Sequence, residues 1–223
     1  MKTVLSTKVL SPSQKELLLN AKVGFVEYNA IEIQFPEVSL PLDESHYIFT
    51  SKNAVKVFVN ALQKAAVDRN VYNCYCVGDK TRAFLKEEGL AVMETAQNAL
   101  ELAGKIVQNY NTHRFVYISG NLRRNELPEL LSQYNVWYQE MVGYETLLKS
   151  KQFSQAFDGI LFFSPSGIRS YLESNPNPKS PVFCIGKTTA EAAKPHFETI
   201  IIANRPTTEN VLVQTIKFFN QND

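Results

Sequence analysis

Apolar positions along the chain alternate between two rhythms: short runs with a period of two, and longer stretches with apolar residues three to four apart. The first rhythm predicts strands and the second amphipathic helices. Thr3 to Leu5 opens as a strand. A helix follows Ser11-Pro12-Ser13-Gln14, where Ser11 and Gln14 have capping-box spacing and Pro12 suits the first helical position. Val23 to Phe35 alternates as one extended stretch that Pro36 ends. A second block starts with strand Tyr47 to Ser51 and a helix from Asn53 to Ala65. Strand Val71 to Val77, a turn at Gly78 and a helix through Glu88 come next. Strand Ala91 to Met93, helix Asn98 to Gln108, strand Phe115 to Ile118, a helix near Leu127 to Leu131 and extended Val136 to Thr146 complete that block. The third block runs from strand Gly159 to Phe163 into a helix at Ser164-Pro165-Ser166-Gly167. Asn175-Pro176-Asn177-Pro178 reads as a loop, because paired prolines exclude a helix or central strand. Strand Val182 to Ile185, a turn at Gly186, helix Thr188 to Lys194, strand Thr199 to Ile202 and helix Glu209 to Phe219 finish the chain.

Strand alternating with helix predicts an α/β fold with parallel sheets, doubly wound by helices. The blocks also repeat. Tyr47-Ile48-Phe49-Thr50-Ser51 answers to Ile160-Leu161-Phe162-Phe163-Ser164, and Tyr75-Cys76-Val77-Gly78 to Phe183-Cys184-Ile185-Gly186. Phe115 to Gly120 with its helix resembles the amino-terminal strand and its helix. The middle of the chain therefore holds one complete unit, and the second unit is split around it. This predicts a discontinuous α/β domain of residues 1–35 plus 147–223 and an inserted domain of residues 38–138. Two extended linkers, about 34–37 and 139–146, join them and suggest a hinge over a ligand cleft.

Composition narrows the chemistry. The 223 residues are 44% hydrophobic and 20% charged, enough for sizeable cores. Lys and Arg number 23 against 22 acidic residues, so no long-range field draws nucleic acid or an anionic membrane, and an anionic ligand must be held by local geometry. No apolar run is long enough to span a membrane, and the start lacks the pattern of a secretory signal; a cytoplasmic monomer acting on a small molecule is expected. Cys74, Cys76 and Cys184 fall in strand-like runs without zinc spacing and read as buried thiols. No metal is expected, and nucleotide chemistry has no support, since Walker and dinucleotide motifs do not occur; a nucleophile elbow is absent too. His46, His113 and His196 read as surface residues.

Small hydroxyl residues recur where strand passes into helix: Thr50-Ser51, Ser164 and Ser166, Thr188-Thr189 and Thr207-Thr208. Helix starts expose unpaired N–H groups and a partial positive charge, so a carboxylate can be bound there. The same residues are also good helix caps. Lys52, Lys80, Arg82, Arg123, Arg124, Arg169 and Lys187 are candidate carboxylate partners or solvated cations. Tyr144, in Gly143-Tyr144-Glu145-Thr146, stands on the returning linker, where a phenol can serve a leaving hydroxyl or pack as a strand aromatic.

Taken in order, Phe49-Thr50-Ser51-Lys52-Asn53-Ala54-Val55, Val77-Gly78-Asp79-Lys80-Thr81, Gly143-Tyr144-Glu145-Thr146, Phe163-Ser164-Pro165-Ser166-Gly167, Ile185-Gly186-Lys187-Thr188-Thr189 and Arg205-Pro206-Thr207-Thr208-Glu209 resemble the uroporphyrinogen-III synthase family. One departure is Thr7-Lys8-Val9, where that family usually has Thr-Arg-Pro. The resemblance implies two α/β domains and a cofactor-free lyase acting on hydroxymethylbilane, a linear tetrapyrrole with eight carboxylates. It implies loss of the terminal hydroxyl, a spiro intermediate, and closure with the last pyrrole inverted. Carried over residue by residue, Tyr144 is the catalytic candidate. Thr50, Ser51, Lys52, Asn53, Ser164, Ser166, Gly167, Lys187, Thr188 and Thr189 are the substrate-binding candidates. Two rival readings stand beside this one. A non-catalytic two-domain hinge protein that closes on a small polyanion shares the same helix-start donors. A receiver-like signalling domain needs an acidic cluster at its strand ends, and the sequence has none.

Overall fold

The computed structural model describes residues 1–176 and 179–221; Asn177 and Pro178 of the expected loop lie outside the described residues. In chain order the elements are β1 (Thr3–Ser6), α1 (Pro12–Asn20), β2 (Gly24–Glu27), β3 (Ile31–Gln34), β4 (His46–Phe49), α2 (Lys52–Ala65), β5 (Asn73–Val77), α3 (Asp79–Glu87), β6 (Ala91–Ala96), α4 (Ala99–Asn109), β7 (Phe115–Gly120), α5 (Glu126–Gln133), β8 (Tyr138–Leu148), β9 (Gly159–Phe162), α6 (Pro165–Leu172), β10 (Val182–Cys184), α7 (Lys187–Ala193), β11 (Ile200–Ile202) and α8 (Thr208–Gln221). Ser11 closes its capping box with Gln14 as its spacing predicts, and Pro12 opens the helix. Gly78 adopts a left-handed φ of 83°, which the turn before α3 needs and a glycine supplies without strain.

The chain divides into two compact units, Met1–Glu32 with Leu147–Asp223, and Ile33–Thr146. The first unit has a sheet ordered β11-β10-β9-β1-β2, and the second one ordered β3-β8-β7-β4-β5-β6. Within the first sheet β1 to β2, β1 to β9, β9 to β10 and β10 to β11 are parallel pairs. Within the second, β4 to β5, β4 to β7, β5 to β6 and β7 to β8 are parallel too. Aligning β11, β10, β9, β1 and β2 with β6, β5, β4, β7 and β8 reproduces one strand order in both units. The internal repeat is thus present in three dimensions, and α1 packs on α8 as α5 packs on α4.

Central strands are buried on both faces, as parallel sheets demand. Tyr47 and Phe49 of β4 enter one core layer, and Ile48 the other. In β9, Ile160 and Phe162 face one layer and Leu161 the opposite one. Cys74, Cys76 and Cys184 are free thiols inside these layers, and burial pushes Cys74 and Cys184 up to about 12.

Two readings of the pattern differ from the structure. Val23 to Phe35 is not one strand: β2 joins the first sheet and β3 the second. Between them Tyr28 and Ala30 donate their N–H groups to the carbonyls of Ser6 and Thr7, so the alternation persists while the partner changes. The stretch 139–146, expected as an extended linker, lies inside β8, whose backbone pairs in register with β7 from Tyr138 to Val142 and again, after a one-residue slip, at Tyr144. The chain passes between the units at Glu32/Ile33 and Thr146/Leu147, within β3 and β8 themselves.

A carboxylate at equivalent places in the two repeats ties down the loop after β1 and after β7. Glu27 accepts the Leu10 N–H at 2.9 Å and pairs with Lys15. Glu140 accepts the Ser119 hydroxyl at 2.7 Å and both Arg123 Nε at 2.6 Å and an Arg123 terminal nitrogen at 2.7 Å. Burial pushes the Glu27 carboxyl up, but the Leu10 and Lys15 bonds outweigh it and its pKa is lowered. The Arg123 fork lowers that of Glu140 against the opposing effect of burial.

Replacing Glu140→Gln should cost about 1.5–3 kcal/mol, the range for hydrogen bonds to charged groups. Because the folded pKa is depressed, this stabilisation is complete above the ordinary carboxylate range and is lost as the pH falls through the depressed value. Urea unfolding across acidic pH should therefore show a shallower acid loss in Glu140→Gln than in the parent. Gly159→Ala tests the packing of the other unit. A methyl there would lie 2.8 Å from Phe183 Cε2 and 3.3 Å from Phe219 Cζ, so about 1–3 kcal/mol of destabilisation is expected in the same assay.

Candidate functional site

In a parallel α/β sheet the loops leaving the carboxyl ends of the strands carry the ligand site. In the second unit β4 ends at Phe49, and Thr50 and Ser51 form its exit. Ser51 is extended, with φ −152° and ψ 155°, and its Oγ accepts the Ala54 N–H at 3.2 Å as the cap of α2. The same hydroxyl donates to Tyr144 Oη at 2.9 Å. Thr50 Oγ1 lies 3.2 Å from Tyr117 Oη. Burial pushes the Tyr117 phenol up, and the bond from Thr50 opposes it in part. Lys52 is exposed at the helix start with its ammonium 5.4 Å from the Phe84 ring centre, and Asn53 is half-buried beside it.

The place of Tyr144 is set by a slip between β7 and β8. Ser119 pairs with Val142, yet Gly120 pairs with Tyr144, so Gly143 is left over in the ladder. The Tyr144 ring then lies against the bare Cα of Gly120. A Cβ on Gly120 would meet Tyr144 Cζ, Cε2 and Oη at 2.5, 2.6 and 2.8 Å. Gly143 is equally confined, since its Cβ would lie 2.8 Å from Ile118 Cγ2 and 3.1 Å from Val57 Cγ1. The Asn121 N–H donates to the Tyr144 carbonyl, and Asn121 Oδ1 accepts the Thr146 N–H at 2.8 Å. The phenol is thus held from both sides, half-buried, with its ring 6.5 Å from that of Phe35.

The first unit repeats part of this design. Ser164 is extended and its Oγ accepts the Gly167 N–H at 3.0 Å, as Ser51 does at the equivalent helix. Ser166 is half-buried in the same turn, while Gly167 is buried against Thr7, whose hydroxyl donates to the Leu161 carbonyl at 2.7 Å. Helix α7 begins after Gly186 with no side-chain cap, and Lys187 and Thr188 stand exposed in its first turn. Thr189, expected as a ligand donor beside Thr188, is buried, at 3% exposed. On a helix, adjacent residues face different ways, and only one of the two threonines can point outward. Lys8 stretches over the Phe163 ring at 5.9 Å.

Thr50, Ser51 and Tyr144, far apart in sequence, are therefore joined by hydrogen bonds or adjacency. Ser164, Ser166 and Gly167 share one helix start, and Lys187 and Thr188 the next start at the same edge of their sheet. Sequence reasoning missed Tyr117 and Gly120, which read as ordinary strand residues; a glycine closing a strand does signal close approach. It also placed His46 and His113 on the surface. They are half-buried and stack at 4.2 Å at the amino edge of the second sheet, where burial and His113 push the His46 pKa down. Among the described residues no group of three His, Cys, Asp or Glu side chains could hold a metal ion. Nor is any described helix long and apolar enough to cross a membrane.

Three comparisons bear on this arrangement. The model of the family described as uroporphyrinogen-III synthase HemD matches residues 15–212. A curated porphyrin biosynthesis protein HemD from Ruminiclostridium josui is 23% identical over 219 residues, covering 84% of this chain and 42% of that protein. This chain thus spans less than half the length of that relative. The solved uroporphyrinogen-III synthetase of Helicobacter pylori 26695 has a TM-score of 0.70 at 18% identity, covering 98% of this chain and all of that one. A mutant uroporphyrinogen III synthase of the extremely thermophilic bacterium Thermus thermophilus has a TM-score of 0.72 at 13% identity, with both chains fully covered. At such identities the solved structures speak for the fold, two parallel-dominated α/β sheets, and the family model speaks for descent. With its match running from the first helix into the last, this chain belongs to the uroporphyrinogen-III synthase family.

Proposed function

We propose that this chain closes hydroxymethylbilane with inversion of its last pyrrole, giving uroporphyrinogen III for tetrapyrrole and haem biosynthesis. The observation that carries the reading is the seating of Tyr144 at the carboxyl edge of its sheet, hydrogen-bonded to Ser51 at the start of α2. The substrate carries eight carboxylates and a hydroxymethyl group on its first ring. Carboxylates are taken by helix-start N–H groups, with Thr50, Lys52 and Asn53 beside the start of α2; Ser164, Ser166, Lys187 and Thr188 offer donors of the same kind at helix starts of the first unit.

Tyr144 gives its proton to the departing hydroxyl, which leaves as water while the adjacent pyrrole nitrogen supplies the electron pair. The resulting azafulvenium carbon is attacked by the substituted position of the last ring. The spiro intermediate fragments and recloses with that ring turned over, and the proton lost on rearomatisation restores the phenol. No cofactor enters this balance. Direct closure without inversion competes, so the binding groups act by holding the chain ends in the geometry of the spiro route. With balanced charge and a small-molecule substrate, the enzyme works as a cytoplasmic monomer.

Generating hydroxymethylbilane in the presence of the protein, oxidising, and separating the porphyrins tests this. The type III isomer should dominate; a mixture identical to the spontaneous type I product would leave only the non-catalytic alternative. Tyr144→Phe should lower kcat roughly a hundredfold, the low end for a general acid, while the isomer ratio of the enzymatic product stays with type III.

A further inference from the structure

We infer that Ser51 and Gly120 are positioning residues that aim the Tyr144 proton, a role that rests on the proposed use of Tyr144 as proton donor. A serine hydroxyl has one hydrogen to give. Ser51 Oγ already accepts the Ala54 N–H at 3.2 Å, and its own hydrogen is directed at Tyr144 Oη at 2.9 Å. In this arrangement the phenol oxygen is the acceptor of the Ser51 hydrogen, and its own hydrogen points away from Ser51.

As the phenol transfers that hydrogen, negative charge gathers on Oη. A hydrogen bond to a charged oxygen is stronger than one to a neutral oxygen, so the bond from Ser51 tightens toward the transition state. The same Ala54 N–H polarises the Ser51 hydroxyl and joins it in a short relay that ends at the backbone of α2. Gly120 works from the ring's other side. Because a Cβ there would come within 2.5–2.8 Å of Tyr144 Cζ, Cε2 and Oη, only a glycine lets the ring settle where Ser51 reaches it. The slip that leaves Gly143 over in the ladder brings the two together.

The relay distinguishes positioning from substrate binding. Were Ser51 a carboxylate donor, its loss would raise KM; as a positioning residue, its loss lowers kcat. Ser51→Gly removes the hydroxyl and costs a helix start little, because glycine is tolerated as a cap. Its kcat should fall about tenfold, the size of one hydrogen bond to a developing charge, with KM within twofold of the parent. Ser51→Thr, which keeps the hydroxyl, should restore most of the loss. Gly120→Ala removes no donor and should also lower kcat.

The deciding experiment places Ser51→Gly in the Tyr144→Phe background. With no phenol to aim, the second substitution should change kcat less than twofold. A further tenfold fall there, or a rise in KM in place of a fall in kcat, overturns the inference while leaving Tyr144 in its role. If Tyr144→Phe alone turns over like the parent, the reading of Tyr144 fails, and this inference fails with it. Circular dichroism melts of each variant identify loss of fold; should Ser51→Gly unfold, Ser51→Thr and Gly120→Ala decide the question through the same kcat and KM pair.

Discussion

Parallel pairing is the constraint on which both units depend. Two parallel strands cannot be joined by a tight turn, so each return runs through a helix, and the exits from β1, β4, β5, β7, β9 and β10 lead into helices. Every such exit lies at the carboxyl edge of its own sheet. Helix starts, with unpaired N–H groups and a partial positive charge, are therefore collected there without any motif of basic residues. A chain of formal charge +1 can in this way hold a polyanion. That edge also gathers the small hydroxyl residues, because serine and threonine cap helices well.

The repeat shows which parts of this design are general and which are particular. Ser51 and Ser164 cap equivalent helices, and Glu27 and Glu140 anchor equivalent loops, so these features are common to both units. Departures from symmetry are equally informative. Gly78 is left-handed where its counterpart Gly186 is extended. The β7–β8 ladder slips at Gly120, whereas β1 and β2 pair without a shift. The tyrosine proposed as proton donor sits where the symmetry breaks, since the slip at Gly120 sets the place of Tyr144 on β8.

Much of the architecture could be read from the residues, because buried central strands and amphipathic helices have different periods. The order of the repeated segments, with Tyr47 to Ser51 answering Ile160 to Ser164, pointed to a split domain before any pairing was known. What escaped was pairing itself. A period of two in Val23 to Phe35 says that the chain is extended and leaves open that its halves join different sheets. Ser51 and Tyr144 were legible as polar residues in suggestive places, yet nothing local announces a hydrogen bond across 93 positions. Thr189 looked equal to Thr188 and is buried, because helix phase separates neighbours. Gly120 was invisible for a simpler reason: its function is an absent side chain, and the ring that needs the space comes from another strand.

The proposed function requires that helix-start amides and hydroxyls at the carboxyl edge of a sheet bind a polycarboxylate. Titrating ¹⁵N-labelled protein with uroporphyrin III, the oxidised octacarboxylate product, reads this amide by amide. The account predicts shifts at residues 50–54, at Ser164, Ser166 and Gly167, at residues 187–188 and at Tyr144. Shifts confined to the opposite edge, around His46 and His113, with those helix starts silent, would contradict it.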